Sequence, residues 1–189
     1  NAGTSGISGL LSFSSGTTSN GNSGAILIGS GVATNGRGGA MKLSIGSGNS
    51  GSGGRLTVLS GKSTVKTGGH LTIESGEGLA TSSGHIHVRT ANSGTAGISG
   101  LLIFSSGTAS SGNSGSIFVG TGAATSGRGG AITVTVGSGD SGTGGSMTLL
   151  PGDTTDVATG GSFYLETGYS STSSSGIIQI KTVNAGTSG

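Results

Sequence analysis

The sequence contains no cysteine and a single proline, and only 7% of its residues are charged. Without cysteine, the chain has no disulfide framework and no cysteine-based zinc or redox site. One proline excludes collagen, which needs abundant proline and glycine at every third position. No run approaches the roughly 18 apolar residues of a membrane span, so no membrane-spanning segment is expected.

Aromatic residues make up only 3% of the chain, and the formal net charge is +2. Surfaces that bind nucleic acids combine concentrated positive charge with stacking aromatic side chains, so no nucleic-acid partner is expected. The few carboxylates are scattered, and no histidine–carboxylate pair recurs beside the many serines. We therefore expect neither enzymatic activity nor a cofactor.

Three histidines form the one cluster that could bind a metal ion. His70 and His85 hold the same position in successive repeats, and His87 lies two residues further along the same face. The second half of the sequence has serine, isoleucine and glutamine at the matching positions. Because the cluster is not repeated, we expect solvated surface histidines and no metal site.

The chain is rich in glycine, with 45 of 189 residues, and its apolar residues come in short alternating bursts. Each burst follows the motif Gly-x-Φ-x-Φ-x-(Ser/Thr), where Φ is large and apolar. The spacing is 15 residues and lengthens to 16 twice. The motif begins at Gly9, Gly24, Gly39, Gly54, Gly69, Gly84, Gly100, Gly115, Gly130, Gly145, Gly161 and Gly176.

A second period of about 91 residues lies above the first. The segment Ile7-Ser8-Gly9-Leu10-Leu11 returns as Ile98-Ser99-Gly100-Leu101-Leu102. Six motifs therefore form one block, which predicts a first block over 1–91 and a second over 92–183. Residues 184–189 repeat residues 1–6 and predict the start of a further block.

Alternation with a period of two is typical of β-strands, and the intervening Gly, Ser, Thr and Asn residues are turn formers. Repeats of fixed length favour an all-β fold, a parallel β-solenoid (β-helix) of about 12 coils of 15–16 residues. The alternative is an antiparallel β-meander. Its hairpin loops usually have only two to five residues, whereas the segments between motifs here have about eight.

In the predicted solenoid, one apolar residue of each coil is assigned to the inward core. These residues are Leu11, Ile26, Leu43, Val58, Ile73, Val88, Phe104, Val119, Val134, Leu149, Leu165 and Ile180. Outward positions should be polar, yet Leu10, Leu27, Leu101, Ile103 and Phe118 are apolar and fall there. We name these five residues the lateral patch and expect it to make contacts between molecules.

The twelve motifs resemble the Gly/Ser/Thr-rich β-solenoid repeats of extracellular fibre and adhesin-type surface proteins. The resemblance implies a structural shaft of an extracellular or cell-surface filament, with self-association into fibres and Ser/Thr sites for O-linked glycans. A second resemblance, to ice-binding β-helices of insects, implies an adhesin or ice-binding rod that uses one ordered face. The outer column departs from their Thr-x-Thr arrays at Lys42, His87, Phe118 and Tyr164.

Overall fold

A computed structural model describes residues 6–183 and Gly186. The chain divides into two units, Asn1–Ala91 and Asn92–Gly189. Within the described ranges there is no α-helix and no β-strand. The predicted further block at 184–189 lies almost wholly outside those ranges, so that expectation stays a prediction.

Over its described residues, each of the two units consists of segments without regular secondary structure, separated by bends. Every apolar motif lies outside the bends, and a bend falls in each Gly- and Ser-rich stretch that links two motifs. Glycine favours such bends because it has no Cβ, and serine because its hydroxyl can form a hydrogen bond with the nearby backbone. The bends occupy residues 19–21, 34–36, 49–52, 64–66, 79–81, 95–97, 110–112, 125–127, 140–143, 155–158 and 171–173.

The two ends of a linking stretch lie close together, and we call this contact the neck. The amide of Gly69 donates to the carbonyl oxygen of Gly61, with the nitrogen and oxygen 2.9 Å apart. Equivalent backbone bonds join Gly84 to Gly76, Gly161 to Gly152 and Gly176 to Gly168. The bonded residues are only eight or nine positions apart, so each neck closes one short loop.

This spacing contradicts the predicted parallel β-solenoid. In a solenoid of 15-residue coils, stacked residues lie 15 positions apart, whereas the backbone bonds here join residues eight or nine apart. An antiparallel meander would need continuous hydrogen-bond ladders, and the described residues form no strand of any kind. The all-β assignment and the resemblance to β-solenoid fibre proteins are therefore both wrong for this structure.

The predicted inward core is not seen either. All twelve residues assigned to it are exposed, from 54% for Ile26 to 87% for Ile180. No residue in the described part of the chain is buried, and the half-buried ones are Ser75, Gly78, Thr90, Thr167 and Ser170. The physical reason is geometric: closed loops without stacked coils enclose no interior.

The accessible surface area of the chain can be compared with that of a compact protein and of an unfolded chain of the same mass. The accessible surface of the chain is 19315 Å². A compact protein of 17.6 kDa would expose about 7,900 Å², and a fully unfolded chain of that mass about 25,500 Å². The value lies much nearer to the unfolded limit, so most of the apolar surface stays in contact with solvent.

Candidate functional site: a two-faced chain of apolar repeats

The necks determine which side chains project to the same side. A Cβ built on a motif glycine comes close to the last residue of the preceding motif in ten necks. In eight of them the two Cβ positions are only 3.2–3.5 Å apart, as at Gly24 with Ser15 and Gly130 with Thr121. The two residues therefore project side by side, and alternation carries the same orientation along both segments.

We infer from this alternation that the residues two and four positions after each motif glycine lie on one side of each loop, which we call the apolar face. All 24 of these positions hold large apolar residues and none holds a charge. The members two positions after the glycine are Leu11, Ile26, Met41, Leu56, Leu71, Ile86, Leu102, Ile117, Ile132, Met147, Phe163 and Ile178. Those four positions after it are Phe13, Ile28, Leu43, Val58, Ile73, Val88, Phe104, Val119, Val134, Leu149, Leu165 and Ile180.

Partial shielding of the apolar face comes from the neighbouring segment. At the position two residues after the glycine, exposure is 46–60% in eleven motifs and rises to 78% only at Leu11. Leu11 belongs to the first motif of this sequence, and the Cβ built on its glycine, Gly9, meets nothing within 4 Å. A closed neck thus covers part of the next side chain, and the rest stays open to solvent.

The opposite face, formed by the residues one, three and five positions after each glycine, carries the lateral patch. Its five members, Leu10, Leu27, Leu101, Ile103 and Phe118, are 70–95% exposed. The charged residues of the motif segments also lie on this face, among them Lys42, Arg55 and Glu74. The structure places the lateral patch on the polar side of the chain, and its contact role stays a prediction.

The predicted histidine cluster makes no metal centre in the described part of the chain. His70, His85 and His87 all belong to the opposite face and are exposed. Within the described ranges, no group of three histidine or acidic residues is arranged to hold a metal ion. No pocket is found among the described residues.

Sequence reasoning missed the neck residues. The hydroxyl of Ser30 donates to the carbonyl oxygen of Gly39, and that of Thr121 to the carbonyl oxygen of Gly130. These two necks are counterparts, 91 residues apart, in the two units. The available signal was the nearly constant interval, nine residues and ten in two places, between the residue that ends one motif, usually Ser or Thr, and the glycine that begins the next.

None of the described residues belongs to a helix that is long and apolar enough to cross a membrane. No protein-family model matches the chain, and no curated protein or solved structure is detectably similar to it. The arguments about function therefore start from the repeats, the necks and the two faces.

Proposed function

We propose that the chain is a non-catalytic structural segment of an extracellular filament or surface fibre. The observation that carries the proposal is the apolar face: the same pair of large apolar residues recurs in twelve motifs, and the chain does not cover it. Exposed apolar surface of this extent favours association, because its removal from water is worth about 25 cal/mol per Å².

Repetition supports assembly along a filament. A single exposed pair of apolar side chains gives a weak contact, but twelve pairs at a nearly constant interval can engage together once the first has formed. Later contacts are then intramolecular, so modest contacts add up to firm association. The lateral patch adds a second surface, with Leu101, Ile103 and Phe118 in one unit and Leu10 and Leu27 in the other.

The extracellular setting of this proposal rests on composition. Glycine, serine and threonine dominate the exposed linking stretches, and exposed Ser and Thr hydroxyls there would accept O-linked glycans. Sugars on these stretches would leave the apolar residues of the motifs free for contacts. Glycosylation at the loops and assembly through the motifs are therefore compatible.

Immunogold electron microscopy of intact cells tests the proposal. We expect antibodies raised against the chain to decorate filaments or fibres at the cell surface, and protease added to intact cells to remove the label. Labelling confined to the cell interior, or to dispersed single molecules, would contradict the function.

A further inference from the structure

The apolar face of the described residues is exposed to solvent, and it has three properties of a protein contact. Each of the twelve motifs contributes two apolar residues to it. It contains no charged residue whose desolvation would oppose contact. The exposed fraction of its residues is still between 46% and 87%.

We propose that the apolar face is covered by the apolar face of a second copy of this chain, with unit Asn1–Ala91 of one copy opposite unit Asn92–Gly189 of the other. This inference rests on the proposed function and deepens it by naming the surface and the partner. It assigns the lateral patch on the opposite face to a separate, later step, the bundling of pairs.

The available area is sufficient for a stable pair. Burying one large aliphatic side chain removes on the order of 60–120 Å² of apolar surface from water. Because nearly two-thirds of that surface is still exposed on average, the 24 residues of the apolar face offer roughly 900–1,800 Å² per copy. A stable protein interface buries about 800 Å² per partner.

Matching periods favour a second copy over another protein. A partner must present apolar side chains at intervals of 15 residues to meet all of the motifs at once. A second copy has the same intervals between its motifs, 15 residues and 16 in two places. Two copies related by a two-fold axis would also form a closed pair, in which each contact occurs twice.

Charge sets the direction of the pair. Residues 1–91 contain six Lys or Arg against two acidic residues, and residues 92–183 contain two against four. The imbalance extends to the linking stretches that flank the apolar face, where Lys62 and Lys66 lie in the first unit and Asp153 and Asp156 in the second. An antiparallel pair places unlike units together, and such charges determine orientation more than affinity.

Sedimentation equilibrium of the 189-residue chain tests the proposal. The test variant L56D/I132D places one aspartate on the apolar face of each unit. The matched control T57D/T133D places the same charges one residue further along, on the opposite face. We expect the test variant to raise the dissociation constant of the pair about 100-fold, because each aspartate must be desolvated at the contact, and the control to change it less than about 3-fold.

The outcomes separate this inference from the proposed function. Equal effects of the two double variants, or no effect of L56D/I132D, would overturn the face-to-face pair while leaving filament formation in place. A wild-type chain that stays monomeric and forms no filament at any concentration would overturn both. The distance across a neck between spin labels at Ser44→Cys and Arg55→Cys should be the same in both double variants, which shows that the loops are intact.

Discussion

The hydroxyl of Ser30 donates a hydrogen bond to the carbonyl oxygen of Gly39, nine residues further on, and the two oxygens lie 2.8 Å apart. Thr121 and Gly130 repeat the contact in the other unit, at 3.2 Å. The two hydrogen bonds therefore occupy equivalent positions of the 91-residue repeat. They close necks that have no backbone hydrogen bond of the kind that joins Gly69 to Gly61.

The first prediction concerns this hydroxyl. Thr121→Val keeps the branched shape but removes the hydroxyl donor, so we expect it to widen the neck. The closed neck should lose at most about 1 kcal/mol of free energy relative to the open one, because the hydrogen bond is exposed to solvent. Thr121→Ser keeps the hydroxyl and should preserve the neck. The chain has no cysteine, so spin labels at Gly120→Cys and Ala131→Cys can report the width directly. Equal distance distributions in the two variants would show that the hydroxyl does not hold the neck.

The second prediction uses the most crowded neck. A Cβ on Gly54 would collide with the Cγ2 atom of Ile45, and one on Gly145 would lie 2.6 Å from the Cγ1 atom of Val136. We expect Gly54→Ala to open its loop, because the added Cβ destabilises the closed neck by about 1–3 kcal/mol, a typical effect of overpacking. Gly46→Ala is the matched control, because a Cβ there meets nothing within 4 Å.

A second-site change makes this prediction sharper. Most other necks have a serine or threonine where this neck has Ile45. The double variant I45S/G54A should therefore recover the neck that G54A opens, as measured by the distance between labels at Ser44→Cys and Arg55→Cys. A double variant as open as G54A alone would mean that steric crowding is not the cause.

The third prediction compares two valine substitutions in one motif. A Cβ on Gly69 would lie 3.2 Å from the backbone nitrogen of Gly61, next to the bond that closes the neck. Thr72 lies on the opposite face, away from the neck. We expect Gly69→Val to speed hydrogen exchange of the residue-69 amide at least about 5-fold, with little change for Thr72→Val. Similar exchange in both variants would argue against crowding at the neck.

The sequence allowed the bends to be predicted, but neither the strands nor the pairing of segments. The alternation of apolar and polar residues around Ile26 and Ile28 predicted β-strands, and the described residues form none. The predicted solenoid failed because alternation does not specify which segment lies next to which. The glycine-rich stretches can close at any of several spacings, and they close over eight to ten residues, as at Gly69 and Gly61.

The same reasoning explains the outcome for the candidate site. The residues of the predicted inward core, such as Leu43 and Val58, do share one face, but no stacked coil encloses them. These apolar residues stay open to solvent, which is why we propose that a second copy covers them.

The last prediction separates bundling from pairing. Leu101, Ile103 and Phe118 lie on the face opposite to the proposed pairing surface, and they are 70–94% exposed. Replacing all three with serine removes apolar surface from the side on which one pair would meet another, so lateral contacts should weaken while the pair itself persists. Electron microscopy should then show thinner filaments, and sedimentation of the dilute protein should still give the mass of a pair.

The control T133S/T148S changes polar residues of the same face and should leave filament width unchanged. Because counterparts of the patch occur around Leu10 and Leu27 in the other unit, L101S/I103S/F118S should reduce bundling and not abolish it, and adding L10S and L27S should complete the loss. If filament width is unchanged in the variant with all five substitutions, the lateral patch is not a contact.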